Sequence, residues 1–187
     1  MGYATRNYCA FYVSEPFDPS GLGAHKARDF VYYNLLKSWK AKDSDFPFNN
    51  AHDSTYNVRD SSDWESTLKP RLRERLGNSK NIIFFLSEET KNSKAIREEF
   101  EYGMGHLGLP VIVVYPDFDS LSDIQKDGEI TSKVKALWNN VPAFNAGMSK
   151  VPTLHIPLKQ ELIERALKDR DLMVNSRIDI GQYFYTS

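Results

Sequence analysis

Three acidic residues crowd the stretch Ile96-Arg97-Glu98-Glu99-Phe100-Glu101, and their phase on a helix is what separates them. At about 100° per residue, Ile96, Phe100, Gly103, Met104 and Leu107 form one apolar stripe. Glu98 falls nearly opposite that stripe, Glu101 well away from it, and Glu99 on its border. A border carboxylate is where a substrate could be met by a partly desolvated acid. The ordinary alternative is a solvated Glu99, or one paired with Arg97 or Lys94, and helix phase alone leaves both open.

The elements around this helix decide what it faces. Residues 8–13 (Tyr-Cys-Ala-Phe-Tyr-Val) are rich in β-branched and aromatic types and stop at Ser14-Glu15-Pro16, which predicts a first strand. Residues 81–86 and 111–115 are almost uniformly apolar, as strands buried on both faces must be. Phe46-Pro47-Phe48 predicts an edge strand, and 153–156 a further strand between two prolines. Helices are expected over 25–40, over 63–76 with Ser61 or Ser62 as N-cap and a break at Pro70, over 94–106 capped by Ser93, once or twice within 120–140, and over 159–172. Alternating strands and helices predict an α/β fold, flavodoxin-like, with a doubly wound five-stranded parallel sheet and helices on both faces. Ligands of such sheets bind beyond the carboxyl ends of the strands where chain order reverses, here near Ser14-Glu15 and Ser87-Glu88. The helix that carries Glu99 begins beside that crevice.

Bulk properties narrow the class. The 187 residues fit one domain with a core of about 6–172, and the apolar C-terminal segment, with Ile178, Ile180, Tyr183, Phe184 and Tyr185, is expected to pack back on it. Lysine and arginine total 24 against 25 acids, so net charge exerts no pull toward nucleic acid or an anionic membrane. The single cysteine, Cys9, excludes an internal disulfide and a four-cysteine zinc site, and it fits a reducing, cytoplasmic setting. No apolar run approaches the roughly 18 residues of a membrane span. Met1-Gly2 lacks the Ser or Thr of a myristoylation signal, because Arg6 stands there. His25, His52, His106 and His155 show no metal-binding spacing, and no metal or resident cofactor is expected. Gly21-Leu22-Gly23 lacks the third glycine of a dinucleotide fingerprint. Lys69, Arg71, Arg73 and Arg75 alternate with Glu74 as a solvated helix face does.

Between Arg6 and Asp117 the chain resembles the TIR-like domains, and among them the TIR-domain proteins of bacterial Thoeris anti-phage defence. The resemblance is carried by Ala10-Phe11-Tyr12-Val13, by 48–53, by Trp64, by Phe84-Phe85-Leu86-Ser87 and by Ile96-Arg97-Glu98-Glu99-Phe100. It implies that Glu99 is the catalytic glutamate, with NAD as the substrate cleaved between nicotinamide and ribose. It also implies an ADP-ribose-derived nucleotide messenger that reaches a separate effector, and self-assembly with like domains. Many relatives have a tryptophan four positions before the glutamate, whereas this chain has Ala95, so packing around the site is expected to differ.

Under that resemblance Ser14 and Ser87 could bind ribose or phosphate, or could equally cap turns. Asp53 could hold a ribose hydroxyl or make an Asx-turn before Ser54. Tyr12 and Phe17, with Tyr56 and Trp64, could stack on adenine or nicotinamide, or serve as core residues. A non-catalytic TIR assembly module is the alternative function. A phosphoacceptor or flavin domain fits less well, since the strand ending at Ser87 lacks a phosphorylatable Asp and no hydroxyl-rich loop follows the first strand.

Overall fold

The two runs without polar alternation, residues 81–86 and 111–115, occupy the middle of the sheet, where both faces are covered. The computed structural model describes residues 4–11, 28–52, 63–176 and 178–185. The strands of the main sheet are β1 (Arg6–Ala10), β2 (Ser79–Phe85), β3 (Val111–Tyr115), β6 (Thr153–Pro157) and β7 (Gln182–Phe184). They form a five-stranded sheet in the order β1-β2-β3-β6-β7, and every neighbouring pair is parallel. The intervening helices are α1 (Arg28–Lys42), α2 (Lys69–Gly77), α3 (Lys94–Gly103), α4 (Leu121–Ile124), α5 (Ser132–Asn139), α6 (Pro142–Gly147) and α7 (Gln160–Lys168). A two-stranded antiparallel hairpin, β4 (Gln125–Lys126) and β5 (Glu129–Ile130), interrupts the run between α4 and α5.

Strand alternation sorts the core into two layers. Tyr8, Ala10, Ile82, Phe84, Val111, Val113 and Tyr115 turn to the face covered by α2, α3, α5 and α6. Cys9, Ile83, Phe85, Ile112, Val114 and Leu154 turn to the face covered by α1 and α7. This is the α/β arrangement with helices on both faces that the sequence pattern predicts.

Several elements differ from expectation, each for a local reason. Residues 46–48 are not a strand: Phe48 N donates to Phe46 O, which bends the chain, and Pro47 has no N–H to give to a ladder. Contact with β1 is a single parallel bridge between Asn7 and Asn50. The fifth strand is instead β7, paired with β6 through Thr153 with Gln182, Leu154 with Tyr183 and His155 with Phe184. β1 starts two residues earlier than the apolar run, since Arg6 N donates to Asn78 O and the buried Asn7 amide donates to Asn81 Oδ1 at 2.8 Å. The helix cap before Trp64 is Asp63, whose carboxylate accepts from Ser66 N, and a π-turn over Trp64–Leu68 precedes Pro70 at the start of α2. α3 stops at Gly103, where the chain turns toward Gly108 at φ 68°.

A buried polar chain ties β7 and α5 to the sheet. Trp138 Nε1 donates to Tyr115 Oη at 2.8 Å, and Tyr115 Oη lies 2.8 Å from His155 Nδ1. His155 Nε2 lies 3.0 Å from Thr153 Oγ1, which donates to Gly181 O. Burial holds His155 far below its ordinary range, at about 3, so the ring is neutral. Because Trp138 can only donate, the phenol accepts from it and gives its own proton to Nδ1. Tyr115→Phe therefore orphans two buried groups and is expected to lower stability by on the order of 3 kcal/mol in urea unfolding. Tyr183→Phe, whose hydroxyl reaches Asp179 O at the surface, is expected to change it by less than about 0.5 kcal/mol.

Candidate active site

Glu99 is placed by the registry of α3. Ser93 Oγ accepts from Ile96 N at 3.2 Å and starts the helix, and the buried positions are then Ile96, Glu99, Phe100 and Gly103. Glu99 thus lies within the core-facing stripe and not merely on its border. Only 8% of its surface is exposed. Its carboxylate points at β1, where the Tyr8 hydroxyl donates to Oε1 at 2.7 Å. The other oxygen, Oε2, is buried with no hydrogen-bond partner among the described residues. Desolvation raises the Glu99 pKa to about 7, and the Tyr8 hydrogen bond opposes part of that rise.

The partners of Glu99 come from separated parts of the chain. Tyr8 faces α3 because its neighbour Cys9 faces the opposite layer. Against the Tyr8 ring, at a centroid distance of 4.8 Å, stands His52. A set of asparagines carries it there. Asn7 N donates to Asn49 O, Asn49 N to Asn7 Oδ1, Ala51 N to Asn7 O, and His52 N to Asn50 Oδ1. Asn50 Nδ2 in turn donates to Tyr33 Oη on α1. Cys9 N donates to His52 Nε2 at 3.3 Å, so that nitrogen carries no proton, and burial with the nearby Arg75 charge holds the ring at about 3. The Arg75 guanidinium also acts on Tyr8, and its Nε is buried without a partner among the described residues. Tyr8 and Glu99, both buried, therefore make one polar cluster with the half-buried His52 and Arg75 between β1, α2 and α3.

Charged residues around this cluster bridge α2 to α3. Glu98 does not point into solvent: Arg73 Nε donates to it at 2.6 Å, Lys69 Nζ stands 3.9 Å away, and Arg73 lies over the Tyr102 ring. The basic residues of α2 are thus not a uniformly solvated face, since two bridge to α3 and Arg75 turns inward. Lys94 lies over the Trp64 ring at 4.9 Å, and that indole, like Ala95, packs on the core.

The other sequence candidates are distributed differently. Ser87 is fully buried just beyond β2, where its backbone N donates to Thr90 Oγ1 and its hydroxyl accepts from Glu89 N within a tight turn. Tyr12, Ser14, Phe17, Asp53 and Tyr56 lie outside the described residues. Beyond the carboxyl ends of β2 and β3 a cleft of about 470 Å³ is lined by Glu88, Asp117, Asp119, Asp123 and Lys133 among others. Four carboxylates against one ammonium make it a poor seat for phosphates. Glu99 does not line it. Sequence reasoning missed Tyr8 as the partner of Glu99, with His52 and Arg75 as neighbours of Tyr8; the period-two pattern that puts Tyr8 on the face of Ile82 and Phe84 was the available signal. Among the described residues no cluster of metal-ligating side chains is present, and no helix is long and apolar enough to cross a membrane.

A carboxylate held at about 7 against an ordinary 4.5 keeps its proton over a window in which the unfolded chain has lost it. Its folded pKa is raised, so its contribution to stability is fully present below 4.5 and is lost as pH climbs through 7. The native protein is expected to lose about 3 kcal/mol of stability between pH 4.5 and 8 that Glu99→Gln does not lose, measured by chemical denaturation across that range.

Residues 8–120 match the family model described as Thoeris protein ThsB, TIR-like domain. The matched span covers more than half of the chain, begins within β1 and contains α3 and Glu99.

Proposed function

Because the chain belongs to the family of the Thoeris protein ThsB TIR-like domain, we propose that it is a cytoplasmic NAD-cleaving enzyme of anti-phage defence with Glu99 as its catalytic carboxylate. The observation that carries this reading is the buried Glu99 carboxylate, with one oxygen held by Tyr8 and the other unpartnered among the described residues. Nicotinamide in NAD is a cationic leaving group, so departure needs no proton. The C1′–N1 bond breaks, nicotinamide leaves neutral with the electron pair, and positive charge develops on the ribose as an oxocarbenium ion. An anionic oxygen in a water-poor site stabilises that charge more strongly than it would in water. Water adding to C1′ and releasing a proton gives ADP-ribose, while attack by an atom of the same molecule gives a cyclic isomer. Either product serves as a nucleotide messenger to a separate effector, and assembly with like domains completes the functional unit. No metal or resident cofactor takes part in this scheme.

NAD presented to the purified protein should release nicotinamide, and Glu99→Gln should lower the rate by roughly 10²–10³-fold. Since the carboxylate is the acting form, kcat should rise with pH through the neighbourhood of 7, where Glu99 ionises. Persistent turnover in Glu99→Gln removes Glu99 from the mechanism. Concentration-dependent assembly with no NAD loss, in infected-cell extract as well as in buffer, assigns the chain to the non-catalytic TIR modules instead.

A further inference from the structure

A glutamate carboxylate is a soft two-fold rotor, and a buried one without an anchor presents either oxygen in any of several orientations. We propose that Tyr8 is the positioning residue of this site, its phenol fixing Oε1 of Glu99 so that Oε2 is the oxygen offered to the ligand. This rests on the reading of Glu99 as the acting acid and adds to it a residue whose only contact with the chemistry is through that acid. The donor–acceptor distance is 2.7 Å, and Tyr8 is 2% exposed. The phenol is itself immobile: its backbone pairs with Ile82 of β2, and its ring is backed by the His52 imidazole at 4.8 Å.

The choice of a phenol has a chemical consequence. A lysine or arginine in the same place would form an ion pair and cancel the negative charge that a cationic sugar must meet. A neutral donor holds the carboxylate by a charge-assisted hydrogen bond and leaves its charge intact. The other titratable groups facing this pair are consistent with that division. His52 on the segment before α2 is neutral, the Cys9 thiol on β1 is pushed up by burial and by Glu99, and Arg75 on α2 is the cation of the set. Burial and the Glu99 charge push the Tyr8 phenol well above its ordinary range, with Arg75 offsetting only part of that rise, so the phenol keeps its proton and can donate it.

The test compares the full chain with Tyr8→Phe, and with 3-fluorotyrosine installed at position 8 by amber suppression, measuring kcat and KM for NAD from pH 5 to 9. In parallel, carboxyl ¹³C NMR follows the Glu99 titration, its signal assigned by its loss in Glu99→Gln. Tyr8→Phe is expected to lower kcat about tenfold with KM altered less than about twofold. It should also move the ascending limb and the Glu99 signal together to higher pH by roughly one unit. The fluorinated phenol, a more acidic donor in a ring of nearly the same shape, is expected to move both the other way. Native turnover with kcat and limb unchanged in both variants overturns the positioning role and leaves the enzymatic reading standing. A Glu99 signal that moves while kcat does not also overturns it, since the hydrogen bond would then be structural only. No turnover by the native protein under any condition overturns the enzymatic reading, and this inference falls with it.

Discussion

A carboxylate taken out of water has to be given a donor or a proton, and the arrangement around Glu99 follows from that demand. One phenol supplies a single hydrogen bond, too little to restore the lost hydration, so the acid titrates near neutrality at about 7. A group in that range can hold a proton or release it without leaving physiological conditions. The same burial that makes the ionised Glu99 a burden on the folded state is what brings its titration to neutrality.

Keeping such an acid in place requires neighbours that cannot yield. β2 lies between β1 and β3 with both faces covered, and α3 packs on it through Ile96, Phe100 and Met104. Where a further edge strand would have protected β1, the chain uses Asn7, Asn49 and Asn50, whose amides lace residues 49–52 to the strand. Amide groups satisfy a buried backbone one contact at a time, and they can therefore hold a bent segment where a ladder would need an extended one. That lacing brings His52 against the Tyr8 ring. At the opposite edge, the chain through Trp138, Tyr115, His155 and Thr153 secures β7 by the same means.

Electrostatics distinguish the open cleft from the cluster around Glu99. The cleft past β2 and β3 gathers Glu88, Asp117, Asp119 and Asp123 around Lys133 and repels an anion. The cluster between β1, α2 and α3 sets one buried acid against one partly buried guanidinium, with a neutral imidazole and phenol between.

Much of this was legible in the chain itself, because burial on both faces of a parallel sheet forces uninterrupted apolar runs, and 81–86 and 111–115 are such runs. The Ser93 cap, the helix it starts and the candidacy of Glu99 were also legible, as they depend on contacts a few residues apart. What spacing could not supply was the company Glu99 keeps. Its Tyr8 partner is 91 positions away, and the hydrogen bond exists only once β1 lies beside β2. The edge strand was misplaced for a related reason: Phe46-Pro47-Phe48 and Gln182-Tyr183-Phe184 both carry strand-forming aromatics, and only packing against a particular neighbour decides which joins the ladder. Composition and local pattern determined that a sheet forms and that an acid sits on the helix beside it. The tertiary structure alone decided how far that acid is desolvated and which group holds it, because desolvation and long-range hydrogen bonds belong to the assembled layers and to no single segment.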